Sequence, residues 1–129
     1  MICFEVNILK KTLTLKNSNE FQHVLKKGTW FAGDLMSVYM MPNNSAVNIL
    51  GIAVGKKFSK SSVRRNRVKR LVKEAYRLNE LNIDTGYSIV ILWKNNVDFS
   101  IVTFDLVLKD LLKCFRKAGI LKEMEEINV

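Results

Sequence analysis

Histidine, cysteine and proline are almost missing from this chain, with one, two and one respectively. Cys3 and Cys114 lie far apart, and neither a CxxC nor an HExxH spacing occurs, so a zinc site is not expected. A reduced chain in the cytoplasm is the simplest reading of so few cysteines. The lone histidine, His23, falls in a helical pattern and reads as a surface residue rather than a catalyst. No pair of carboxylates and no Ser/His/Asp or Cys/His set stands out, so a protein-borne active site is not expected. No window approaches the roughly 20 apolar residues that span a bilayer. The apolar start Met1–Leu9 carries Glu5, and its lysines follow rather than precede it, which is the wrong order for a signal peptide.

Acids are also scarce. Asp and Glu number 12 against 21 Lys and Arg, a formal net charge of +9. On a small chain that charge points to a polyanionic partner, through the summed field and through counterion release. The length of 129 residues, 48% of them apolar, suits one domain spanning 1–129 with one core. Residues 1–12 read as an extension or edge strand, and 120–129 as a C-terminal tail whose acidic end, Glu123 to Glu126, is expected to fray.

The pattern predicts helix, two strands, long helix, strand, helix: an α+β sandwich of helices on one small, mostly antiparallel sheet. Asn17 to Glu20 reads as a helix start with a capping box, followed by Phe21, Val24 and Leu25 at helical spacing, and Gly28 is expected to end this helix in the left-handed region. Leu35 to Met41 and Val47 to Val54 read as strands joined by the turn residues Pro42 to Ser45, so an antiparallel hairpin is expected. Serines at 59, 61 and 62 offer caps for a long helix to about Leu78. Tyr87 to Trp93 is almost continuously apolar and reads as a central strand covered on both faces. Asp98 or Ser100 is expected to cap a last helix with the stripe Phe104, Val107, Leu108, Leu111, Leu112 and Phe115, ended by Gly119.

Ten cations lie between Lys56 and Arg77: Lys56, Lys57, Lys60, Arg64, Arg65, Arg67, Lys69, Arg70, Lys73 and Arg77, opposed only by Glu74. On a helical wheel Val68, Leu71, Val72, Ala75 and Tyr76 share one face, to be packed on the sheet. Asn66, Arg70, Lys73 and Arg77 share the opposite face, flanked by Arg67 and Lys69. The plain alternative is a solvated charged face. Against it, Arg64, Arg65 and Arg67 occupy the first turns, where the macrodipole is positive and cations are disfavoured, and like charges three and four apart repel. Exposed amides at that helix start, beside Lys56 and Lys57, suit a phosphate. Arginine forks fit phosphate, and Asn66 suits a base edge or sugar hydroxyl. Phe21 and Tyr39 are candidates to stack on unpaired bases, at roughly 1–3 kcal/mol per base where exposed; the alternative is that both are core. Trp30 and Trp93 read as packing residues.

The segment Arg65-Asn66-Arg67-Val68-Lys69-Arg70 resembles the R-N-R-x-K-R signature of the protein subunit of bacterial ribonuclease P. Gly51 to Lys57 is similar to the strand leading into that signature, and Glu20 to Thr29 to the family's first helix and turn. The resemblance runs from about Leu13 to Gly119. It implies the accessory subunit of a ribozyme that removes the 5′ leader of precursor tRNA, with Mg²⁺ held mainly by the catalytic RNA. It also implies a cytoplasmic ribonucleoprotein needing no membrane and no protein partner. By it, Lys56, Lys57, Lys60, Arg64, Arg65, Asn66, Arg67, Lys69, Arg70, Lys73 and Arg77 face the catalytic RNA. Phe21, Leu25 and Tyr39 line a cleft for the single-stranded leader, Leu25 standing where the family often has Phe. A left-handed crossover around the signature helix is implied as well, against the general preference for right-handed ones. Other readings remain open: a ribosomal-type or other structured-RNA-binding protein, a major-groove DNA binder, or a nuclease with its own metal.

Overall fold

The computed structural model describes residues 12–122. The chain opens with strand β1 (Thr12–Thr14) and helix α1 (Ser18–Lys27), and continues through β2 (Thr29–Ala32), β3 (Met36–Pro42) and β4 (Asn48–Ala53). Helix α2 (Ser62–Asn79), strand β5 (Tyr87–Trp93) and helix α3 (Phe104–Ala118) complete it. Asn17 caps α1 as expected, its side-chain oxygen accepting from the amides of Asn19 and Glu20. Gly28 does not take the left-handed form; it is extended, at φ −75° and ψ 157°. What demands glycine there is space, because a Cβ would stand 2.6 Å from the Val24 carbonyl oxygen and 3.0 Å from that of Met40. Gly119 does end α3 in the left-handed region, at φ 76°. The cap of α3 is Thr103, while Asp98 caps a separate 3₁₀ turn over Phe99–Ile101.

The five strands form one sheet in the order β1-β4-β5-β3-β2. It is evenly mixed rather than mostly antiparallel: β1 with β4 and β4 with β5 are parallel, β3 with β5 and β2 with β3 antiparallel. The expected β3–β4 hairpin does not form, because β5 lies between them. The linker 43–47 is long enough to cross two strand spacings, roughly 10 Å, and it is tied down as it does so. Asn43 donates its amide to the Gly86 carbonyl just before β5, and its side chain brackets Ser45 and Val47. A seven-residue apolar strand is stabilised most where both of its faces are covered, and β5 takes the central position its sequence foretold.

Strand alternation splits the sheet into two unlike faces. Met36, Val38 and Met40 of β3 and Ile89, Ile91 and Trp93 of β5 point to the main core, against Val68, Val72, Ala75 and Tyr76 of α2 and Val107, Leu111, Cys114 and Phe115 of α3. Tyr76 and Phe115 meet edge to face, ring centroids 6.1 Å apart. Each such side chain contributes roughly 1.5–3 kcal/mol by leaving water. Ile120 is buried and Leu121 bridges to Ile83, so the fold extends into residues the sequence assigned to a tail. Among the described residues the other face carries α1, which packs on β3 and β5 through buried Val24 and leaves the row Ser37, Ala53 and Leu92 half-buried.

Candidate nucleic-acid interface

Helix α2 crosses from β4 to the parallel strand β5, so one of its sides is committed to the core. Val68, Val72, Ala75 and Tyr76 are fully buried and Leu71 is half-buried, as the wheel predicts. A polar anchor fixes the helix further. The Tyr76 hydroxyl pairs with Thr12 Oγ1 at 2.7 Å and accepts from Asn48 Nδ2 at 3.1 Å. Buried Asn48 also donates to the Asp84 carbonyl and accepts from the Tyr87 amide. One amide side chain thereby joins β4, α2 and the start of β5. Burial pushes the Tyr76 phenol above its ordinary pKa, so it stays a neutral hydrogen-bonding group.

The opposite side of α2 is cationic. Arg64, Asn66, Arg67, Arg70 and Lys73 are exposed, as are Lys56, Lys57 and Lys60 in the preceding loop, while Lys69 is half-buried. Arg65 is also half-buried and has a structural duty: its Nη1 donates to the Ser59 carbonyl at 2.8 Å, closing the loop on the helix. Ser61 caps α2 by accepting from the Arg64 amide at 3.2 Å. Arg64 lies over the Phe99 ring, 4.8 Å from its centroid. Arg77 differs from the rest. Its fork is closed on Glu74, with Nε 3.0 Å from Oε1, and this hydrogen bond holds the Glu74 carboxyl below its ordinary pKa. The stripe of free cations thus ends at Lys73, one turn earlier than the wheel alone suggests.

The three helices treat their dipoles differently. Glu20 stands in the first turn of α1 and Asp105 in that of α3, where acids are stabilising; α2 has no acid there and several arginines.

The second sequence-predicted set comes together on the α1 face of the sheet. Tyr39 lies between the core-facing Val38 and Met40 and so points to the α1 side. Phe21 and Leu25 stand one turn apart on α1, and all three residues are half-buried, neither core nor fully exposed. Gly51 makes room for the approach: a Cβ there would stand 2.9 Å from Leu15 Cδ2 and 3.4 Å from Phe21 Cδ2. Beyond Tyr39 the next row of this face is Ala32, Ser37, Leu92 and Ala53, short side chains apart from Leu92, so the floor is low. Leu15 also lines a groove between β4 and α2, with Thr14, Lys69, Arg70 and Lys73. The aromatic and the cationic surfaces therefore meet at Leu15.

Trp93 is buried, as expected, but Trp30 is not a packing residue: it is 58% exposed and stacks on Tyr39, with ring centroids 6.3 Å apart and planes 27° apart. The position was hard to read, because Thr29–Ala32 is too short a strand for its alternation to show. His23 is exposed on α1. Cys114 is buried, its thiol pushed up to about 11 chiefly by that burial, so it is no nucleophile. Among the described residues, no group of three or more His, Cys, Asp or Glu is placed to hold a metal ion, and no helix is long and apolar enough to cross a membrane.

Comparison with known proteins fits this arrangement. The family model for Ribonuclease P matches residues 9–119. The chain is 40% identical to the ribonuclease P protein component of Clostridium botulinum over 108 residues, 82% of this chain and 94% of that protein. It is 40% identical to that of Clostridium kluyveri over 111 residues, covering 84% and 96%. Its fold superposes on the solved ribonuclease P protein of Thermotoga maritima with a TM-score of 0.74 at 29% identity, covering 81% of this chain and 96% of that one. The chain therefore belongs to the ribonuclease P protein family, the protein components of a ribonucleoprotein endoribonuclease of tRNA processing.

Proposed function

We propose that the outward side of α2, with the Lys56–Lys60 loop, binds the catalytic RNA, and that the sheet face beside α1 holds the single-stranded 5′ leader of precursor tRNA. The observation that carries the first half is the unneutralised run Arg64, Arg65, Arg67 at the start of α2. It opposes the helix dipole, and the Arg65–Ser59 hydrogen bond and the Arg64–Phe99 contact leave its positive charge without an ion pair among the described residues, which suits a polyanion. Lys56, Lys57, Lys60, Asn66, Lys69, Arg70 and Lys73 complete that surface. Arg77 belongs to it only weakly, its fork being held by Glu74. For the second half, the half-buried Phe21 and Tyr39 supply aromatic side chains and Leu25 an apolar contact beside a low floor. Aromatic side chains of this kind suit unstacked bases rather than a closed duplex.

In this reading the RNA cuts, using Mg²⁺ held mainly by itself, and the protein positions the leader and screens phosphate repulsion in the cytoplasm. Cleavage of precursor tRNA by the cognate RNA at low Mg²⁺, with and without the protein, tests it. The protein is expected to stimulate the reaction and to be inert alone. No stimulation, or RNA hydrolysis by the protein by itself, contradicts the proposal.

A further inference from the structure

Trp30 has no role in the surfaces described so far. Its register partner is Tyr39, on the neighbouring strand, so both side chains rise from the same sheet face. Tyr39 covers one side of the indole, and Trp30 remains 58% exposed at the β2 edge of the sheet. An exposed tryptophan at an edge strand gives up most of the burial that its size offers. Cations stand at both ends of its strand. Lys26 and Lys27 end α1 just before it and are exposed, and the Lys117 ammonium lies at the same edge, 2.9 Å from the Ala32 carbonyl oxygen. A flat ring on a strand with lysines at both ends has the chemistry that binds an unpaired nucleotide without reading its sequence.

We propose that Trp30 and Tyr39 form a two-ring platform that carries the RNA strand out of the cleft and across β3 to the β2 edge, with Trp30 stacking one further unpaired base. This rests on the leader-cleft reading above. It adds a nucleotide position that Phe21, Leu25 and Tyr39 do not supply, and it lengthens the leader that the protein senses. The simpler role for Trp30 is a cross-strand pair that only steadies β2, and the choice of variants separates the two. Trp30→Val keeps a strand-forming side chain without a π-face; Trp30→Phe keeps the π-face.

The experiment measures affinity of the assembled protein–RNA enzyme for precursor tRNAs whose leaders run from one nucleotide to about ten. Trp30→Val is expected to lose about five-fold or more in affinity for the long leaders and nothing for the one-nucleotide leader, and Trp30→Phe to recover most of the loss. In the free protein, a single-stranded RNA oligomer is expected to quench the exposed tryptophan, Trp93 being buried. If wild-type affinity rises with leader length and Trp30→Val keeps that whole rise, or if Trp30→Phe fails as Trp30→Val does, the platform is overturned and the cleft stands. If the wild-type enzyme shows no dependence on leader length, the cleft reading fails and the platform with it.

Discussion

The carboxylate of Asp110 holds three backbone amides at once. Its Oδ1 accepts from Asp34 at 2.7 Å, and its Oδ2 accepts from Leu35 at 2.9 Å and Met36 at 3.1 Å. This pins the β2–β3 turn, and with it the strand that carries Trp30, to α3. Gly33 is the matching residue, since a Cβ there would stand 2.5 Å from the carboxylate oxygens. Asp110→Asn replaces an acceptor with a donor facing those amides. It is expected to cost about 2–3 kcal/mol and to lower Tm by roughly 5–15 °C in thermal unfolding. Tyr76 gives a second, pH-dependent test. Its phenol is raised by burial, so its contribution to stability is complete below the unfolded pKa of about 10 and is lost as pH rises through the folded value. Tyr76→Phe is expected to be less stable by about 1–2 kcal/mol at neutral pH. In urea unfolding that gap should narrow above about pH 10; a gap unchanged by alkali would remove the phenol from the account.

At the level of elements, α2 shows what a sequence can and cannot disclose. Its two sides were legible because helical spacing alone separates Val68, Val72, Ala75 and Tyr76 from Asn66, Arg70 and Lys73. The capture of Arg77 by Glu74 was open to the same reasoning, as the two stand three residues apart, yet spacing does not say whether a cation prefers its neighbour or an outside phosphate. The ion pair makes a graded prediction. Arg70→Ala is expected to flatten the salt dependence of RNA binding by a log–log slope of about 0.7–0.9, and Arg77→Ala by much less. Equal slopes for the two variants would mean that Arg77 leaves Glu74 to bind RNA. The sheet was harder to read than the helices. Strand order depends on long-range pairing, and the short loop after Pro42 pointed to a hairpin that β5 displaces. The role of Asp110 had a faint signal: it falls at helical spacing among Val107, Leu111 and Cys114, on the side of α3 that is buried.

Across the whole molecule, one sheet separates the two surfaces proposed to face RNA. Its core face packs α2 and α3 so that the cationic side of α2 is presented to solvent, and its other face is covered, among the described residues, by α1 and is in part half-buried. The surfaces meet at Leu15, so in the proposed function a substrate strand and a catalytic RNA would approach from adjoining sides. Their recognition chemistry differs, charge on one and ring faces on the other, and they should therefore respond to different substitutions. The most direct test measures, for enzyme assembled with the cognate RNA, the ratio of affinities for precursor and mature tRNA in Phe21→Ala, with assembly itself titrated in parallel. Loss of most of the preference for precursor, with holoenzyme assembly unchanged, is the predicted result. Preserved preference together with failed assembly would contradict the division of the two surfaces.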